Sequence, residues 1–379
     1  MMDANNRADL SILHLSAGRY NPNDKTHSTF TIWRELAKGF RSYTVVGRSD
    51  GPSFSQIQEE NLTVYLLPSN YRSEAEFLFT QAKAVKIGEN IECNVVVAQC
   101  PVKGGLAGVE LSRRRGAKLL SEFHGYEYFG DSGYFTAGAA IKLMSRYPLK
   151  RSHRIRVLSE GMREKVLDRY GSALESKIVC LPPRVDLTRF NKVKNNWSIS
   201  GCPKILMVGT INENKGQRRL VSTLFKSKLD VEIWLAGSGP DENAVREVAI
   251  SQGKVDRLKL LGQLSHEKLA EVLSAVDIFV MFSRSEGMPR AMIEAMAVGI
   301  PIITTNAGFC SDVIENEVQG FVLGEKPEIE VVERIDLLLY NDEMRARMGR
   351  EARLRAETEF DAAKLYIRYR KLIEDTANV

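Results

Sequence analysis

Short runs of β-branched and other apolar residues alternate with amphipathic helical patterns along almost the whole chain. In the first half these runs cover residues 12–15, 44–47, 62–67, 95–99, 119–123, 157–159 and 178–181. In the second half they cover residues 205–208, 231–236, 258–261, 278–282, 302–304 and 321–323. Strands that alternate with helices predict βα units on a parallel sheet. The pattern therefore predicts an α/β protein with doubly wound, Rossmann-like sheets.

The alternation is interrupted once, near the middle of the chain. Pro182 and Pro183 and a polar stretch over 191–203 separate the two series of strands. With 379 residues the chain also exceeds the size at which one core stops growing. We predict an N-terminal domain over 1–190, a linker over 191–203, a C-terminal domain over 204–360, and a last helix within 361–379 that crosses back to the N-terminal domain. The two domains are expected to face each other across a cleft, and such sheets bind ligands beyond the carboxyl ends of their strands.

Composition narrows the class of protein further. Five cysteines without a CxxC pair favour reduced thiols over disulfides or a zinc site. The first ten residues lack the apolar core of an export signal, and no apolar run reaches the roughly 18–20 residues of a membrane span. We therefore expect a cytoplasmic protein.

Basic residues concentrate between residues 103 and 169, where 14 Lys and Arg stand against 7 Asp and Glu. Two clusters, 113–115 and 150–156, flank an apolar-rich segment over 134–149 that reads as an amphipathic helix. An anionic membrane surface is one candidate partner for this stretch, and a solvated helix face is the other. Aromatic residues do not interleave with the charges in a stacking pattern, so nucleic acid is not expected. Contact with lipid would place the protein at the inner face of the membrane.

Two glutamates eight positions apart bracket a predicted helix start in the second half. Pro289 suits a first helical turn, so Glu286 lies in the loop before the helix and Glu294 lies within it. Free backbone N–H groups around Gly287 to Arg290 would supply donors beside these acceptors. Such a site suits a polyhydroxylated, phosphate-bearing ligand, although a glutamate on a helix is often only solvated.

Other predicted loops at the same edge of the second sheet carry weaker signals. Lys215 stands close to a helix start after Gly209 and Thr210, where an ammonium group would meet a phosphate. Gly237, in the sequence Ala-Gly-Ser-Gly-Pro, lets the backbone approach a ligand closely. A surface lysine and an ordinary turn are the alternatives for these two loops.

The order of these elements resembles the retaining glycosyltransferases of the two-domain GT-B fold, the group 1 or family 4 enzymes with an E-x7-E signature. The resemblance covers nearly the whole chain and depends most on residues 283–303, which contain Glu286 and Glu294. Weaker support comes from Gly209 with Lys215, from the segment 182–190, and from His124-Gly125 after an apolar run. No Asp-x-Asp sequence occurs, so neither a metal nor another cofactor is expected.

Carried over residue by residue, the resemblance implies that Lys215 contacts the donor diphosphate, Glu294 the nucleotide ribose and Glu286 the sugar hydroxyls. His124 would touch the transferring sugar from the first domain, whereas the residues alone favour a structural histidine. The predicted catalytic residues are thus His124, Lys215 and Glu286, and Gly18 and His124 are predicted on the acceptor side. The full predicted donor site comprises Gly209, Thr210, Lys215, Gly237, Glu286, Gly287, Met288, Pro289, Arg290 and Glu294.

The chain departs from the family pattern at two positions. Thr210 stands where the family commonly has an arginine, which Arg284 or Arg290 would have to replace. The loop after the first strand holds one glycine, Gly18, instead of a pair, and continues through an insertion to His27. Both departures concern ligand contacts.

The sequence thus predicts a retaining, metal-independent, hexosyltransferase-like enzyme of cell-surface glycan biosynthesis. Its substrates would be a nucleotide-diphosphate sugar and a lipid-linked or polysaccharide acceptor. The departing diphosphate would help to take the proton of the acceptor hydroxyl, and Glu286 as a covalent nucleophile is the rival mechanism. A non-catalytic partner subunit of the same fold and a nucleotide-sugar epimerase are the alternative functions.

Overall fold

The computed structural model describes residues 8–24, 28–69, 76–125, 138–191 and 199–379. The chain divides into two compact units. The first comprises residues 1–124, 128–181 and 365–379, and the second comprises residues 125–127 and 182–364.

The first unit contains an eight-stranded sheet in the order β3-β4-β2-β1-β5-β6-β7-β8. Its strands are β1 (Ala8–Tyr20), β2 (Phe40–Ser49), β3 (Ser55–Glu59), β4 (Leu62–Leu67), β5 (Val95–Gln99), β6 (Lys118–Glu122), β7 (Arg154–Val157) and β8 (Ile178–Cys180). All neighbouring strands pair in parallel except β3 and β4. The strand order runs outward in both directions from β1 and β5, so these two strands form the switch point of the sheet.

Helices cover both faces of this sheet. They are α1 (Ser28–Ala37), α2 (Glu76–Gly88), α3 (Gly105–Arg115), α4 (Gly138–Arg151), α5 (Glu160–Tyr170) and the C-terminal helix α13 (Ala362–Ala377). Ile12 packs with α1 and α13 on one face, whereas its neighbour Leu13 packs with α2 and α3 on the other. Because both faces are buried, the central strand β5 is apolar at four consecutive positions, Val95 to Ala98, instead of alternating with polar residues.

The second unit contains a six-stranded parallel sheet in the order β11-β10-β9-β12-β13-β14. The strands are β9 (Lys204–Val208), β10 (Glu232–Ala236), β11 (Leu258–Gly262), β12 (Ile278–Met281), β13 (Ile302–Thr305) and β14 (Gly320–Leu323). Its switch point lies between β9 and β12, where a doubly wound sheet opens a crevice for ligands.

The helices of this unit are α6 (Gln217–Lys226), α7 (Glu242–Ser251), α8 (His266–Ala275), α9 (Arg290–Val298), α10 (Cys310–Val313), α11 (Pro327–Leu339) and α12 (Asp342–Glu359). Ile205 and Met207 pack on the face covered by α6, α7 and α11, and Leu206 packs on the face covered by α8, α9 and α12. The predicted α/β architecture of two doubly wound sheets is confirmed.

Two details of the first sheet differ from the sequence prediction. Strand β3 was not predicted, because its polar sequence lacks a continuous apolar run and it lies at an antiparallel edge. Strand β7 was predicted over 157–159 but covers Arg154–Val157, since Arg154 and Arg156 obscured the pattern. Arg156 is nevertheless only 4% exposed, because it forms an ion pair inside the unit.

The segment 182–190, predicted as part of the N-terminal domain, lies in the second unit. Val185 and Phe190 are buried there together with Ala352 and Ala356 of α12. Of the predicted linker, residues 192–198 lie outside the described residues. The last helix packs its residues Leu365, Tyr369, Leu372 and Ile373 in the core of the first unit.

The basic stretch of residues 103–169 has several different environments in the first unit. Arg113 and Arg114 form ion pairs with Glu110, which hold the pKa of that carboxyl at about 2. Helix α4 instead exposes Leu143 and Tyr147 beside basic side chains, and residues 134–137 of the predicted helix lie outside the described residues. Within the described part of the chain, no helix has the length and apolar character needed to cross a membrane.

Candidate functional site

The strongest candidate site lies at the switch point of the second sheet. The loop after β9 carries Gly209, Thr210 and Lys215, and the loop after β12 carries Ser283 and Glu286. Lys215 Nζ donates to Glu286 Oε1 at 2.6 Å, and the Ser283 hydroxyl donates to the same oxygen at 2.6 Å. Two of the three predicted catalytic side chains, Lys215 and Glu286, are therefore in direct contact.

Backbone and side-chain hydrogen bonds fix these two loops to each other. The Asn214 side chain donates to the Ser285 carbonyl oxygen at 3.0 Å, and the Arg284 N–H donates to the Asn214 carbonyl oxygen at 2.8 Å. Asn212 Oδ1 accepts from the Lys215 N–H. Glu286 is only 8% exposed, and its donors Lys215 and Ser283 belong to these two loops. Its carboxylate is therefore held in a mostly buried position.

Glycines allow four loops to come together at this edge of the sheet. Gly216, at φ +79°, lies against the Phe282 carbonyl oxygen, and Gly308, at φ +60°, lies against the Glu286 carbonyl oxygen. Gly237 contacts the carbonyl oxygen of Gly209 in the same way. A Cβ atom at any of these positions would overlap the opposing backbone, and the left-handed φ favours glycine independently. Gly209 and Gly237 thus shape the edge of the sheet on which the predicted donor site lies.

Glu294 lies on α9 and is 7% exposed, so it is not a solvated helix residue. Its Oε1 atom is 3.4 Å from Nδ1 of His266, the first residue of α8. The His266 ring also meets Phe190 edge-on, with the ring centroids 6.3 Å apart. His266 was not predicted as a site residue from the sequence, although it follows β11 at the edge of the sheet where the site was predicted.

The segment from Gly287 to Arg290 leads into α9, which begins at Arg290 after Pro289. Met288 packs against the core of the second unit, whereas the Arg290 side chain is exposed. The first N–H groups of a helix have no partner within the helix, so this start offers donors and a positive dipole end. Pro289 precedes the helix instead of occupying its first turn.

The structure also shows the surroundings of Thr210, which stands where the family commonly has an arginine. Thr210 is exposed, and its carbonyl oxygen accepts from the Gln217 side chain at 3.1 Å. Arg284, one of the two proposed replacements, forms an ion pair with Glu213. Arg219 lies against the Phe282 ring at 4.4 Å and donates to the Phe282 carbonyl oxygen.

Cys310 lies close enough to this cluster for the charges of Glu286 and Lys215 to act on its thiol in opposite directions. Burial raises the pKa of the Cys310 thiol to about 12. The thiol is therefore neutral near pH 7 and is not an activated nucleophile.

His124, predicted as catalytic, belongs to a buried polar network in the first unit. Its Nε2 atom lies 3.1 Å from Glu122 Oε2, and the other carboxylate oxygen of Glu122 accepts from Arg156 at 2.9 Å and from the Tyr369 hydroxyl at 2.7 Å. Burial acts to raise the pKa of Glu122, but the Arg156 charge and the His124 contact outweigh it and hold the pKa well below its usual value. An ionised carboxylate only accepts hydrogen bonds, so Nε2 of His124 carries a hydrogen.

Glu122, Arg156 and Tyr369 were not predicted from the sequence. Tyr369 comes from the C-terminal helix, 247 positions beyond Glu122, so no local pattern links the two residues. Gly18, the other residue predicted on the acceptor side, lies in β1, where a Cβ atom would overlap the Tyr20 ring. Residues 25–27 of the predicted insertion lie outside the described residues.

Acidic, cysteine and histidine side chains do not gather into a group of three suited to a metal ion in the described ranges.

Solved structures identify the class of fold. The sucrose-phosphate synthase of Thermosynechococcus elongatus superposes with a TM-score of 0.81 at 18% identity, covering 97% of this chain and 98% of that one. HepE of Anabaena, solved in complex with UDP-glucose, superposes with a TM-score of 0.74 at 15% identity, covering 98% and 100%. The fold is the two-domain GT-B fold of glycosyltransferases, as predicted.

The family follows from the sequence of the second unit. Residues 190–355 match the family described as glycosyl transferases group 1. This segment is similar to the group 1 glycosyl transferases, the family whose resemblance the sequence predicted.

Known relatives are similar to this protein over part of its sequence. The N-acetyl-alpha-D-glucosaminyl L-malate synthase of Bacillus anthracis is 26% identical over 187 residues, which are 48% of this chain and 49% of the relative. The GDP-mannose-dependent alpha-(1-6)-phosphatidylinositol monomannoside mannosyltransferase of Mycobacterium tuberculosis is 24% identical over 274 residues, or 66% and 68%. The chain thus spans about half the length of the first relative and two thirds of the second.

Proposed function

We propose that this protein is a glycosyltransferase that moves a sugar from a nucleotide-diphosphate donor to an acceptor hydroxyl, with retention at the anomeric carbon. The observation that carries this proposal is the contact of Lys215 with Glu286 at the switch point of the second sheet, beside the start of α9. A cation, a helix start and a buried carboxylate together suit a diphosphate joined to a polyol.

In this mechanism the Lys215 ammonium and the first N–H groups of α9 neutralise the departing diphosphate. The Glu286 carboxylate accepts from sugar hydroxyls, and Glu294 accepts from the ribose. The bond between the anomeric carbon and the phosphate oxygen breaks while the acceptor oxygen bonds to the same carbon. The proton of the acceptor passes to the leaving diphosphate, so the protein supplies position and charge. This route uses no metal ion.

His124 would contact the transferring sugar through its Nδ1 atom, because its Nε2 atom is directed at Glu122. The acceptor is proposed to be lipid-linked or a polysaccharide. A relative named as acting on phosphatidylinositol monomannoside supports the lipid-linked class. The exposed Leu143 and Tyr147 of α4, beside the exposed Lys142 and Arg146, support contact with an anionic membrane surface.

The test replaces Glu286 with Gln and measures donor hydrolysis and donor transfer. The amide keeps the shape of the side chain but removes a charged acceptor, so turnover should fall roughly tenfold to thousandfold if this contact strengthens at the transition state. Affinity for the free nucleotide diphosphate, measured by calorimetry, should not fall, since Lys215 loses its competing partner. Glu247→Gln, on the exposed side of α7, is the matched control.

A panel of nucleotide sugars screened by thermal shift first identifies the donor, because a bound ligand raises the melting temperature. Unchanged turnover in Glu286→Gln would remove Glu286 from the reaction. If the wild type binds a nucleotide sugar without hydrolysing or transferring it, the non-catalytic alternative replaces this proposal.

A further inference from the structure

A pocket lies inside the first unit, above the carboxyl ends of β1 and β2. It is open to solvent on one side, and its polar wall is formed by Ser16, Arg48, Thr80, Gln81 and Lys103. The pocket adjoins the switch point of the first sheet, since β1 contributes Ser16, and Lys103 and Gly104 follow β5. This is the edge at which doubly wound sheets bind ligands.

Gln81 on α2 presents an unsatisfied donor in this pocket. The residue is 7% exposed, and its Oε1 atom accepts from the Ala107 N–H at 3.0 Å. Because a backbone N–H only donates, this contact settles which end of the amide is oxygen. Among the described residues, the buried Nε2 group has no hydrogen-bond partner. A buried donor of this kind is costly unless a ligand satisfies it.

The surroundings of Gln81 favour an anion. Arg48 and Lys103 both line the pocket, and none of its described lining residues is acidic. Helix α3 begins there at Gly105; the preceding Gly104 has no side chain to cap the helix, and Gln81 caps the third N–H group, that of Ala107. An amide donor, two cations and the positive end of an eleven-residue helix therefore converge on one small space.

We propose that this pocket binds one oxyanion group, a carboxylate or a phosphate. The identity of this oxyanion rests on the proposed function: it is part of the acceptor molecule. The protein therefore glycosylates an acidic acceptor and holds it by its charge.

Calorimetric titration of the full chain with inorganic phosphate and with succinate tests the pocket directly. At least one of the two anions should bind saturably. Gln81→Glu keeps an oxygen for the Ala107 N–H but replaces the free donor with a negative charge, so affinity should fall at least about tenfold. Lys103→Met should weaken binding as well, and it keeps the test informative if Gln81→Glu does not fold.

The matched control is Lys83→Met, which removes the same charge from an exposed position on α2 outside the pocket and should leave anion affinity unchanged. Binding of phosphate alone assigns a phosphorylated acceptor, and binding of succinate alone assigns a carboxylate acceptor. The proposal is overturned if neither anion binds, or if wild type and both pocket variants bind equally well.

Donor hydrolysis, measured on the same proteins, separates this proposal from the proposed function. Hydrolysis without anion binding would overturn the anion pocket and leave the transferase proposal standing. Anion binding by a chain that neither binds nor hydrolyses any nucleotide sugar would overturn the assignment of the anion to an acceptor.

Discussion

At the scale of single residues, the candidate donor site depends on positions without side chains as much as on charged groups. Lys215 and Glu286 supply the charges, but Gly216, Gly237 and Gly308 allow their loops to approach the neighbouring backbone. The sequence identified Gly237 through its glycine-rich turn. Gly308 gave no such signal, because its requirement comes from the Glu286 carbonyl oxygen, more than twenty positions earlier in the chain.

Replacing Gly308 with Ala should therefore lower the free energy of unfolding by more than backbone strain alone would. Gly253 is a matched control, because it has a similar φ of +65° but nothing within 4 Å of an added Cβ atom. We expect Gly253→Ala to lower the free energy of unfolding by about 1 kcal/mol. Gly308→Ala should lose about 1–3 kcal/mol more, because the new methyl group overlaps backbone. Urea unfolding measures both, and equal losses would contradict the proposed close contact.

At the scale of secondary-structure elements, the C-terminal helix α13 is a structural part of the first unit. Its apolar side packs Leu365, Leu372 and Ile373 beneath the sheet, and its Tyr369 hydroxyl completes the hydrogen bonds of Glu122. Burial and the Glu122 charge raise the pKa of Tyr369 well above its usual value, so the phenol remains a donor throughout the neutral range. This helix thereby supports the carboxylate that contacts His124.

Shortening a buried side chain on α13 should destabilise the first unit. Ile373 is fully buried, whereas Ile367 on the same helix is 53% exposed. We expect Ile373→Ala to cost about 2–5 kcal/mol through lost burial and a new cavity. Ile367→Ala should change the stability by no more than about 0.5 kcal/mol. If denaturant unfolding gives the two variants the same midpoint, α13 does not contribute to this core.

At the scale of the whole molecule, the sequence predicted the sheets well because both are buried on two faces. Buried parallel strands are continuous apolar runs, and the predictions for residues 62–67 and 95–99 coincide with β4 and β5. Polar strands and charged buried residues gave no such signal, as β3 and Arg156 illustrate. His266, Glu122 and Gln81 were missed for a related reason: their partners are distant in the sequence.

One unit is nearly continuous in sequence and the other is not, so we expect isolated fragments to differ in whether they fold. The second unit is nearly continuous over 182–364, whereas the first requires residues 365–379 as well. A fragment of residues 182–364 should therefore unfold cooperatively in urea when produced alone. A fragment of residues 1–181 should not, until a peptide of residues 365–379 is added. Cooperative unfolding of residues 1–181 alone, followed by circular dichroism, would contradict this prediction.

The late position of α13 also sets an order of events during protein synthesis. On the ribosome, most of the first unit emerges before the second, but it lacks one of its core helices until residues 365–379 have been translated. The second unit has all but three of its residues in one continuous segment and can fold as soon as that segment has left the exit tunnel. The nascent chain therefore exposes an incomplete apolar surface from the emergence of residue 181 until α13 follows, which is the condition under which chaperones bind.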